Sequence, residues 1–258
     1  MENQPRKALI RLGSSCNNRC VFCHGAAARA QALTTAQAMI KIRAAAERGA
    51  DMVVFSGGEP TIRKDLMDLC SHVRQCGLEA GVITNGRMLC YEDFASALLK
   101  IGLGYVLVSL HGHDEQTHNL LTGTQGFAQT LAGLRRIAGR VDRLVVNTVL
   151  MRSNAGHLEK IEQLLEPLAP AHFKISLPEP KGAILDNPGH LLAPAHAAAA
   201  IAQFLERRSG RPGLSVGVDG MTPCLFPQFF DMNDDFFTHG FCMISEAGEN
   251  DFYPPDHG

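Results

Sequence analysis

Short apolar segments alternate with amphipathic segments of helical period along most of the chain. The predicted strands lie near 7–12, 52–56, 79–84, 104–110, 142–149 and 172–177, and the predicted helices near 34–48, 64–76, 91–101, 126–138, 155–168 and 194–208. Repeated strand–helix units favour a parallel sheet with crossover helices on its outside. Because a full barrel takes eight units, six of them predict an α/β fold, a partial (βα)6 TIM-like barrel.

The composition changes after about Ser209. Residues 210–258 are rich in Gly, Pro, Phe and Asp, and their prolines interrupt any long helix. The phenylalanines supply enough apolar area for this segment to pack. We therefore expect residues 1–209 to form the partial barrel and residues 210–258 to form an irregular C-terminal extension that covers its active-site side.

A Cys-x3-Cys-x2-Cys sequence, formed by Cys16, Cys20 and Cys23, follows the first predicted strand. A 4Fe-4S cluster normally takes four thiolates, so three closely spaced cysteines leave one iron free for another ligand. Zinc is the alternative, since it also uses short cysteine spacings. A structural zinc site usually needs a second Cys-x2-Cys pair, which the sequence lacks. The spacing therefore favours an iron–sulfur cluster.

Gly57, Gly58 and Glu59 follow the second predicted strand. Glycines at a strand end let backbone approach a ligand closely, and a carboxylate can pair with a ligand ammonium group. Taken alone, Gly-Gly-Glu is also typical of an ordinary βα turn. Its position one βα unit after the cysteines favours a ligand site, because both motifs then lie at the carboxyl ends of parallel strands.

The order of these motifs over roughly residues 7–180 resembles that of the radical S-adenosylmethionine (SAM) superfamily. In that superfamily an aromatic residue precedes the third cysteine, and here that residue is Phe22. Within the superfamily, the chain resembles molybdopterin-precursor synthase and the peptide-modifying SPASM/twitch enzymes. Further similar segments are 61–66, 83–86, 108–112, 118–127 and 146–149.

The resemblance implies that SAM chelates the free iron of a cluster held by Cys16, Cys20 and Cys23. An electron from a flavodoxin- or ferredoxin-like donor would then cleave SAM to methionine and a 5′-deoxyadenosyl radical, which abstracts a hydrogen atom from the substrate. By family analogy, Ser109 and Asn147 would lie near the SAM carboxylate or ribose, and the strand around 175–177 near the adenine. The predicted cofactor-binding residues are Phe22, Gly57, Gly58, Glu59, Ser109, Asn147 and Leu177.

The substrate class stays open between a peptide or protein side chain and a small metabolite. The resemblance favours a peptide, whereas a motif that begins at residue 16 leaves no space for an N-terminal peptide-recognition domain. Two further functions remain as alternatives. One is a zinc-stabilised binding module, and the other is an accessory protein with a non-catalytic radical SAM scaffold.

The other cysteines and the histidines carry weaker signals. Cys224 and Cys242 could serve an auxiliary cluster, as in SPASM and twitch relatives, but they supply half the usual thiolates, and burial as apolar thiols is the favoured interpretation. Cys70, Cys76 and Cys90 are predicted to fill the core. The loop after the fourth strand carries histidines that could orient a substrate or face solvent, and for which a dedicated metal site is not favoured; these are His111, His113 and His118.

Charge and hydropathy exclude several function classes. A formal net charge of −2 gives no electrostatic reason to expect nucleic acid or an acidic membrane surface as a partner. The sequence shows no signal peptide and no apolar run of membrane-spanning length. Eight cysteines in such a chain are typical of reduced thiols and metal ligands. We therefore expect a cytoplasmic enzyme that binds neither nucleic acid nor a membrane.

Overall fold

A computed structural model describes residues 6–26, 32–209, 213–221, 223–225, 227–232, 241–244 and 250–252. Its strands are β1 Lys7–Arg11, β2 Met52–Ser56, β3 Glu79–Thr84, β4 Leu103–Ser109, β5 Leu144–Val149, β6 His172–Ser176, β7 Val216–Asp219, β8 Phe241–Ile244 and β9 Asn250–Phe252. Its α-helices are α1 Thr35–Glu47, α2 Leu66–Gln75, α3 Glu92–Ile101, α4 Glu115–Thr122, α5 Phe127–Ile137, α6 Leu158–Leu165 and α7 Pro194–Arg207. Short 3-10 helices are His24–Ala26, Pro60–Ile62, Arg87–Cys90, Ala155–His157, Glu166–Leu168, Gly182–Leu185, Pro188–His190, Pro223–Leu225 and Pro227–Met232.

The sheet keeps strict chain order from β1 to β7, and these strands are parallel. Every crossover therefore steps in the same direction, and right-handed crossovers then place the helices on one face of the sheet. Strand β8 continues the sheet beyond β1 in parallel, and β9 pairs antiparallel with β8. Among the described strands no pairing joins β7 to β9, so the sheet is open. The predicted α/β fold is confirmed.

The two faces of the sheet differ in character. The face covered by helices carries the main core, which includes Ile10, Val53 and Phe55. The opposite face holds a smaller apolar cluster formed by Met52, Val54, Tyr105, Leu107 and Val145. Because β2 and β4 are buried on both faces, they show the continuous apolar runs typical of parallel strands.

The six predicted strands are all present, but the sequence interpretation missed other elements. Strands β7, β8 and β9 lie in the segment predicted to be an irregular extension, and they add to both ends of the sheet. They are three or four residues long, which is too short for periodicity to reveal. Helix α4 was also missed, because its eight residues are mostly polar. The predicted covering role of the extension stays a prediction, since much of it lies outside the described residues.

In the part of the chain that the structure describes, no helix is long and apolar enough to cross a membrane.

Candidate cofactor site at the carboxyl ends of the strands

The three cysteines lie between β1 and α1 on a segment that we call the cysteine loop, residues 13–23. Just before it, the Leu12 N–H donates a hydrogen bond to the carbonyl oxygen of Ser56 at the end of β2 (2.8 Å). Gly13 then adopts a φ of +145°, which residues with a Cβ rarely do. The chain thereby leaves the sheet and turns towards the carboxyl ends of the neighbouring strands.

The Gly-Gly-Glu segment lies directly against the start of the cysteine loop. The Gly58 N–H donates to the Gly13 carbonyl (2.7 Å), and the Glu59 N–H donates to the Ser15 carbonyl (2.8 Å). A Cβ at Gly57 would lie 2.5 Å from the Gly13 carbonyl oxygen, and a Cβ at Gly58 would collide with the Ser15 carbonyl. In the structure, the close neighbour of these glycines is the backbone of the cysteine loop, and their predicted contact with a ligand stays a prediction.

The Glu59 carboxylate is buried, and both of its oxygens accept hydrogen bonds from the protein. Its Oε1 accepts hydrogen bonds from the Thr61 N–H (3.0 Å), the Thr61 hydroxyl (2.5 Å) and the Thr84 hydroxyl (2.7 Å), and its Oε2 accepts one from the Asn85 N–H (2.6 Å). Burial raises the pKa of Glu59, while these donors act in the opposite direction. The carboxylate therefore ties the end of β2 to the end of β3. Pairing with a ligand ammonium group stays a prediction, for which Oε2 retains a lone pair.

Glu59→Ala is expected to lower the free energy of unfolding of the cofactor-free protein by at least about 3 kcal/mol, because it leaves several buried donors without an acceptor. Urea unfolding would measure the change. Glu47→Ala, on an exposed residue at the end of α1, is the matched control. Equal stability of the two variants would show that Glu59 is dispensable for the fold.

The segment after β3 makes a second set of contacts with the cysteine loop. The Arg87 guanidinium donates to the Asn17 carbonyl oxygen (2.5 Å) and to the side-chain oxygen of Asn18 (3.1 Å). The Asn85 side chain donates to the side-chain oxygen of Asn17 (2.6 Å). Sequence reasoning missed Arg87, although its place directly after the Thr-Asn-Gly at a strand end was an available signal.

Two more segments complete the anchoring of the loop. The backbone N–H groups of Arg19 and Val21 donate to carbonyl oxygens in the last turn of α4 (2.9 and 3.0 Å). The Ala183 N–H, in the segment after β6, donates to the Cys23 carbonyl (3.0 Å). The cysteine loop is thus held by the segments that follow β2, β3, β4 and β6, which all lie at one end of the sheet.

The three thiols influence one another electrostatically. The pKa of Cys20 is raised to about 12, first by burial and then by the nearby sulfurs of Cys16 and Cys23. Burial also raises the pKa of Cys16, although the Asn18 N–H, which donates to its Sγ (3.4 Å), acts in the opposite direction. Three such thiols lose their protons together only when a cation compensates their charge. This donor set fits an iron–sulfur cluster.

The thiols do not yet surround a common position. In the described residues, no three His, Cys, Asp or Glu side chains form a ready metal-ligand set. Cys16 is exposed, and Cys20 and Cys23 are half-buried. The backbone of the loop that carries all three is held by the contacts described above.

Phe22 packs against the buried His111, in the segment after β4, and His111 in turn stacks on His118. The Phe22 ring meets the His111 ring edge-on at 4.8 Å, and the His111 and His118 rings are stacked at 6.0 Å. The Nδ1 of His111 accepts a hydrogen bond from the Val149 N–H (3.1 Å), and the Nδ1 of His118 accepts one from the His111 N–H (3.2 Å). Of the two interpretations left open for these histidines, exposure to solvent does not hold, because both rings are buried behind the cysteine loop. The role of Phe22 in cofactor binding stays a prediction.

Burial lowers the pKa of His111 to about 3 and that of His118 to about 4. Because the folded pKa values lie below the unfolded value of about 6.5, each ring contributes stability that is complete above pH 6.5 and is lost as pH falls towards 4. Between pH 8 and pH 5 the loss is about 2 kcal/mol for each ring.

The unfolding free energy of wild type falls between pH 8 and pH 5, and His118→Gln is expected to make that fall smaller by about 2 kcal/mol. Urea unfolding at a series of pH values would measure it. His196→Gln, on an exposed side chain of α7, is the matched control for the substitution. Parallel pH profiles for wild type and His118→Gln would show that this ring does not titrate on unfolding.

The structure brings the predicted SAM residues of β4 and β5 together. Ser109 and Asn147 are paired in register on adjacent strands. The Asn147 side-chain oxygen accepts a hydrogen bond from the Ser176 hydroxyl (2.7 Å), whose oxygen also lies 3.3 Å from a carboxylate oxygen of Asp219. Leu177 follows directly, and its N–H donates to the Asp219 carbonyl (2.8 Å). Sequence reasoning missed Ser176 and Asp219, although Ser176 lies within the strand that was predicted.

The remaining cysteines have mixed outcomes. Cys70 is buried in the core, as predicted, and burial raises its pKa to about 12. Cys76 and Cys90 are half-buried. The predicted burial of Cys224 is wrong, because it is exposed on a short 3-10 helix. Cys242 lies on β8, and its side chain is outside the described part of the structure.

The family model of the radical SAM superfamily matches residues 10–165, which is more than half of the chain's 258 residues. This chain belongs to the radical SAM superfamily. The resemblance predicted from the motifs is confirmed, and the superfamily is one of enzymes. The matched range contains the cysteine loop and the Gly-Gly-Glu segment. An unrelated zinc-binding module is not favoured.

Two curated relatives of this radical SAM protein carry different names. The chain is 30% identical over 186 residues to an AdoMet-dependent heme synthase of Methanosarcina barkeri, covering 70% of this chain and 53% of the relative. It is 31% identical over 146 residues to a probable GTP 3′,8-cyclase of Thermococcus kodakarensis, covering 55% of this chain and 47% of the relative. The chain thus spans about half the length of these relatives.

Among solved structures, SuiB of Streptococcus suis shares the fold. SuiB bound to the precursor peptide SuiA matches with a TM-score of 0.71 at 15% identity, covering 93% of this chain and 57% of SuiB. SuiB bound to S-adenosylmethionine matches with a TM-score of 0.69 at 16% identity, covering 93% of this chain and 58% of SuiB. At this level of identity the match establishes the fold.

Proposed function

We propose that this radical SAM protein holds a 4Fe-4S cluster through Cys16, Cys20 and Cys23 and cleaves SAM reductively to generate a 5′-deoxyadenosyl radical. One observation carries the proposal. The segments after β2, β3, β4 and β6 all donate hydrogen bonds to, or accept them from, the single loop that carries the three cysteines. These contacts fix the backbone on both sides of the three cysteines, as a site that holds a cofactor requires.

The bound cluster would supply an electron to the SAM sulfonium, and the adenosyl fragment released would take a hydrogen atom from the substrate. The chain's own residues would position the cofactors. The Asn18 N–H donates to the Cys16 sulfur, which stabilises the thiolate form of that ligand. Glu59 and Arg87 hold the loop from two sides. Phe22 packs its ring edge-on against His111, which would keep water away from this side of the loop.

The face of the sheet opposite the helices is apolar in its middle and polar at the carboxyl ends of the strands, and we propose that SAM and substrate bind there. Its apolar cluster, which includes Met52, Tyr105 and Leu107, would exclude water from a reactive carbon radical. Towards the carboxyl ends of β4, β5 and β6, the side chains of Ser109, Asn147 and Ser176 provide hydrogen-bonding groups. We propose that Ser109 and Asn147 bind the carboxylate or ribose of SAM and that Leu177 lies beside its adenine.

The proposed substrate is a peptide or protein side chain, supported by the structural similarity to SuiB in complex with its precursor peptide. A small metabolite is the second candidate, supported by the sequence similarity to proteins named heme synthase and GTP 3′,8-cyclase. The reducing electron would come from a flavodoxin- or ferredoxin-like protein.

Formation of 5′-deoxyadenosine tests the proposal without knowledge of the substrate. The protein would be reconstituted anaerobically with iron and sulfide, reduced with dithionite and incubated with SAM. We expect 5′-deoxyadenosine and methionine in equal amounts from the wild type. A reconstituted protein that binds iron but yields no 5′-deoxyadenosine would instead support a non-catalytic accessory scaffold.

A further inference from the structure

A cavity of about 360 Å³ opens between the segments that follow β4 and β5. Its lining comes from the start of α4, from the loop after β5 and from the first turn of α6, and includes His113, Asp114, Leu120, Ser153, His157 and Lys160. None of the lining residues belongs to the cysteine loop or to the Gly-Gly-Glu segment. The cavity is therefore separate from the proposed cofactor site.

Unsatisfied polar atoms are concentrated in this cavity. Among the described residues, five buried side-chain nitrogen or oxygen atoms lack a hydrogen-bond partner, and three of them belong to its lining: His113 Nδ1, Ser153 Oγ and His157 Nδ1. A buried polar atom without a partner costs about 1–3 kcal/mol. Native proteins contain few such atoms, so three in one cavity mark a polar position at which a bound molecule would complete the hydrogen bonds.

The neighbouring charges define what kind of ligand fits. His113 Nε2 lies 3.0 Å from a carboxylate oxygen of Asp114, and the other oxygen of that carboxylate accepts the Thr117 N–H (2.8 Å). The His113 and His157 rings are 4.5 Å apart. Asp114 is thus already engaged by donors of the protein, whereas Lys160 adds an ammonium group to the same lining. Lys160 presents a positive charge and Ser153 a hydroxyl donor, and each imidazole presents a second N–H donor when its ring is protonated.

A metal ion fits this lining less well. Only two imidazoles face each other here, and in the described part of the chain no three His, Cys, Asp or Glu side chains form a metal-ligand set. The Lys160 ammonium would also repel a cation. We propose that this cavity binds an oxyanion, the carboxylate or phosphate group of a ligand, through Lys160, Ser153 and the imidazoles of His113 and His157.

The proposal assigns His113 a specific form. With its Nε2–H directed to Asp114, the ring would bind a proton at Nδ1 when an oxyanion occupies the cavity, and so donate to it. In the free protein, burial lowers the pKa of His113 despite Asp114, with His157 and Lys160 acting in the same direction as burial. An oxyanion close to Nδ1 would raise that pKa, because it stabilises the charged ring.

Nuclear magnetic resonance of the histidine rings in the full chain tests the site. The probes are inorganic phosphate and, separately, acetate, each titrated at constant ionic strength. His113→Gln and His157→Gln assign the ring signals. We expect saturable shifts of both rings with at least one anion, with half-saturation on the order of 1 mM. The two titrations show whether phosphate or carboxylate is preferred.

Lys160→Gln separates specific binding from general screening. It should weaken binding about tenfold, which corresponds to the loss of one charge-assisted hydrogen bond. Lys100→Gln, at an exposed position on α3, is the matched control and should leave binding unchanged. The proposal is overturned if neither anion produces saturable shifts, if the two lysine variants behave alike, or if zinc chloride, but neither anion, shifts both rings stoichiometrically. None of these outcomes depends on the cluster or on SAM.

Discussion

Single replacement of Cys16, Cys20 or Cys23 by Ala is expected to reduce the iron content of the anaerobically reconstituted protein from about four atoms per chain to below about one, and to abolish 5′-deoxyadenosine formation. Each thiolate would bind one iron of the cluster, and two thiolates are not enough to hold a 4Fe-4S cluster. Iron analysis and product chromatography on the same samples measure both effects.

Cys76→Ala is the matched control for these variants. Its thiol is half-buried beside α2 and contacts His72, away from the cysteine loop. This variant should keep both iron and activity. Normal iron content in any one of the three cysteine-loop variants would contradict the assignment. A wild type with about eight irons that falls to about four in all three variants would instead reveal a second cluster, for which Cys224 and Cys242 would be the first candidate ligands.

Gly58→Ala is expected to remove SAM binding and most of the iron together. The added Cβ would collide with the Ser15 carbonyl, immediately before Cys16, and would break the backbone contacts that hold the loop. Such overpacking costs about 1–3 kcal/mol, enough to displace an exposed loop. This expectation differs from one based on sequence alone, in which the substitution would obstruct SAM and leave the cluster intact.

Gly156→Ala is the control, because a Cβ at that position meets no atom within 4 Å. It should retain iron and SAM affinity. Calorimetric titration with SAM and iron analysis would be run on both variants. If Gly58→Ala kept its iron and lost only SAM affinity, the glycine would face the cofactor, and the loop contact would be secondary.

The fold was predictable where the apolar pattern of a segment matches its burial in the folded protein. Strand β2 is an uninterrupted apolar run because both of its faces are covered, and its limits were predicted within a residue. Strand β7 was not predicted, since its four residues carry no period and contain a glycine. What holds them in the sheet is pairing with β6, a partner distant in sequence.

The site was predictable in its motifs but not in the roles of its members. The sequence shows that Glu59 follows a strand, but not that Thr61, Thr84 and Asn85 donate hydrogen bonds to its carboxylate. The contact between Arg87 and the cysteine loop spans about seventy residues and has no local signature. Side-chain partners of this kind depend on which strand ends become neighbours, and chain order alone does not specify their contacts.

Electron paramagnetic resonance of the reduced, reconstituted protein, recorded with and without SAM, tests the central claim most directly. A cluster with one iron free of protein ligands should give a reduced-cluster signal whose shape changes when SAM is added, because SAM becomes a ligand of that iron. A signal that is indifferent to SAM, or a colourless protein that holds stoichiometric zinc, would contradict the account.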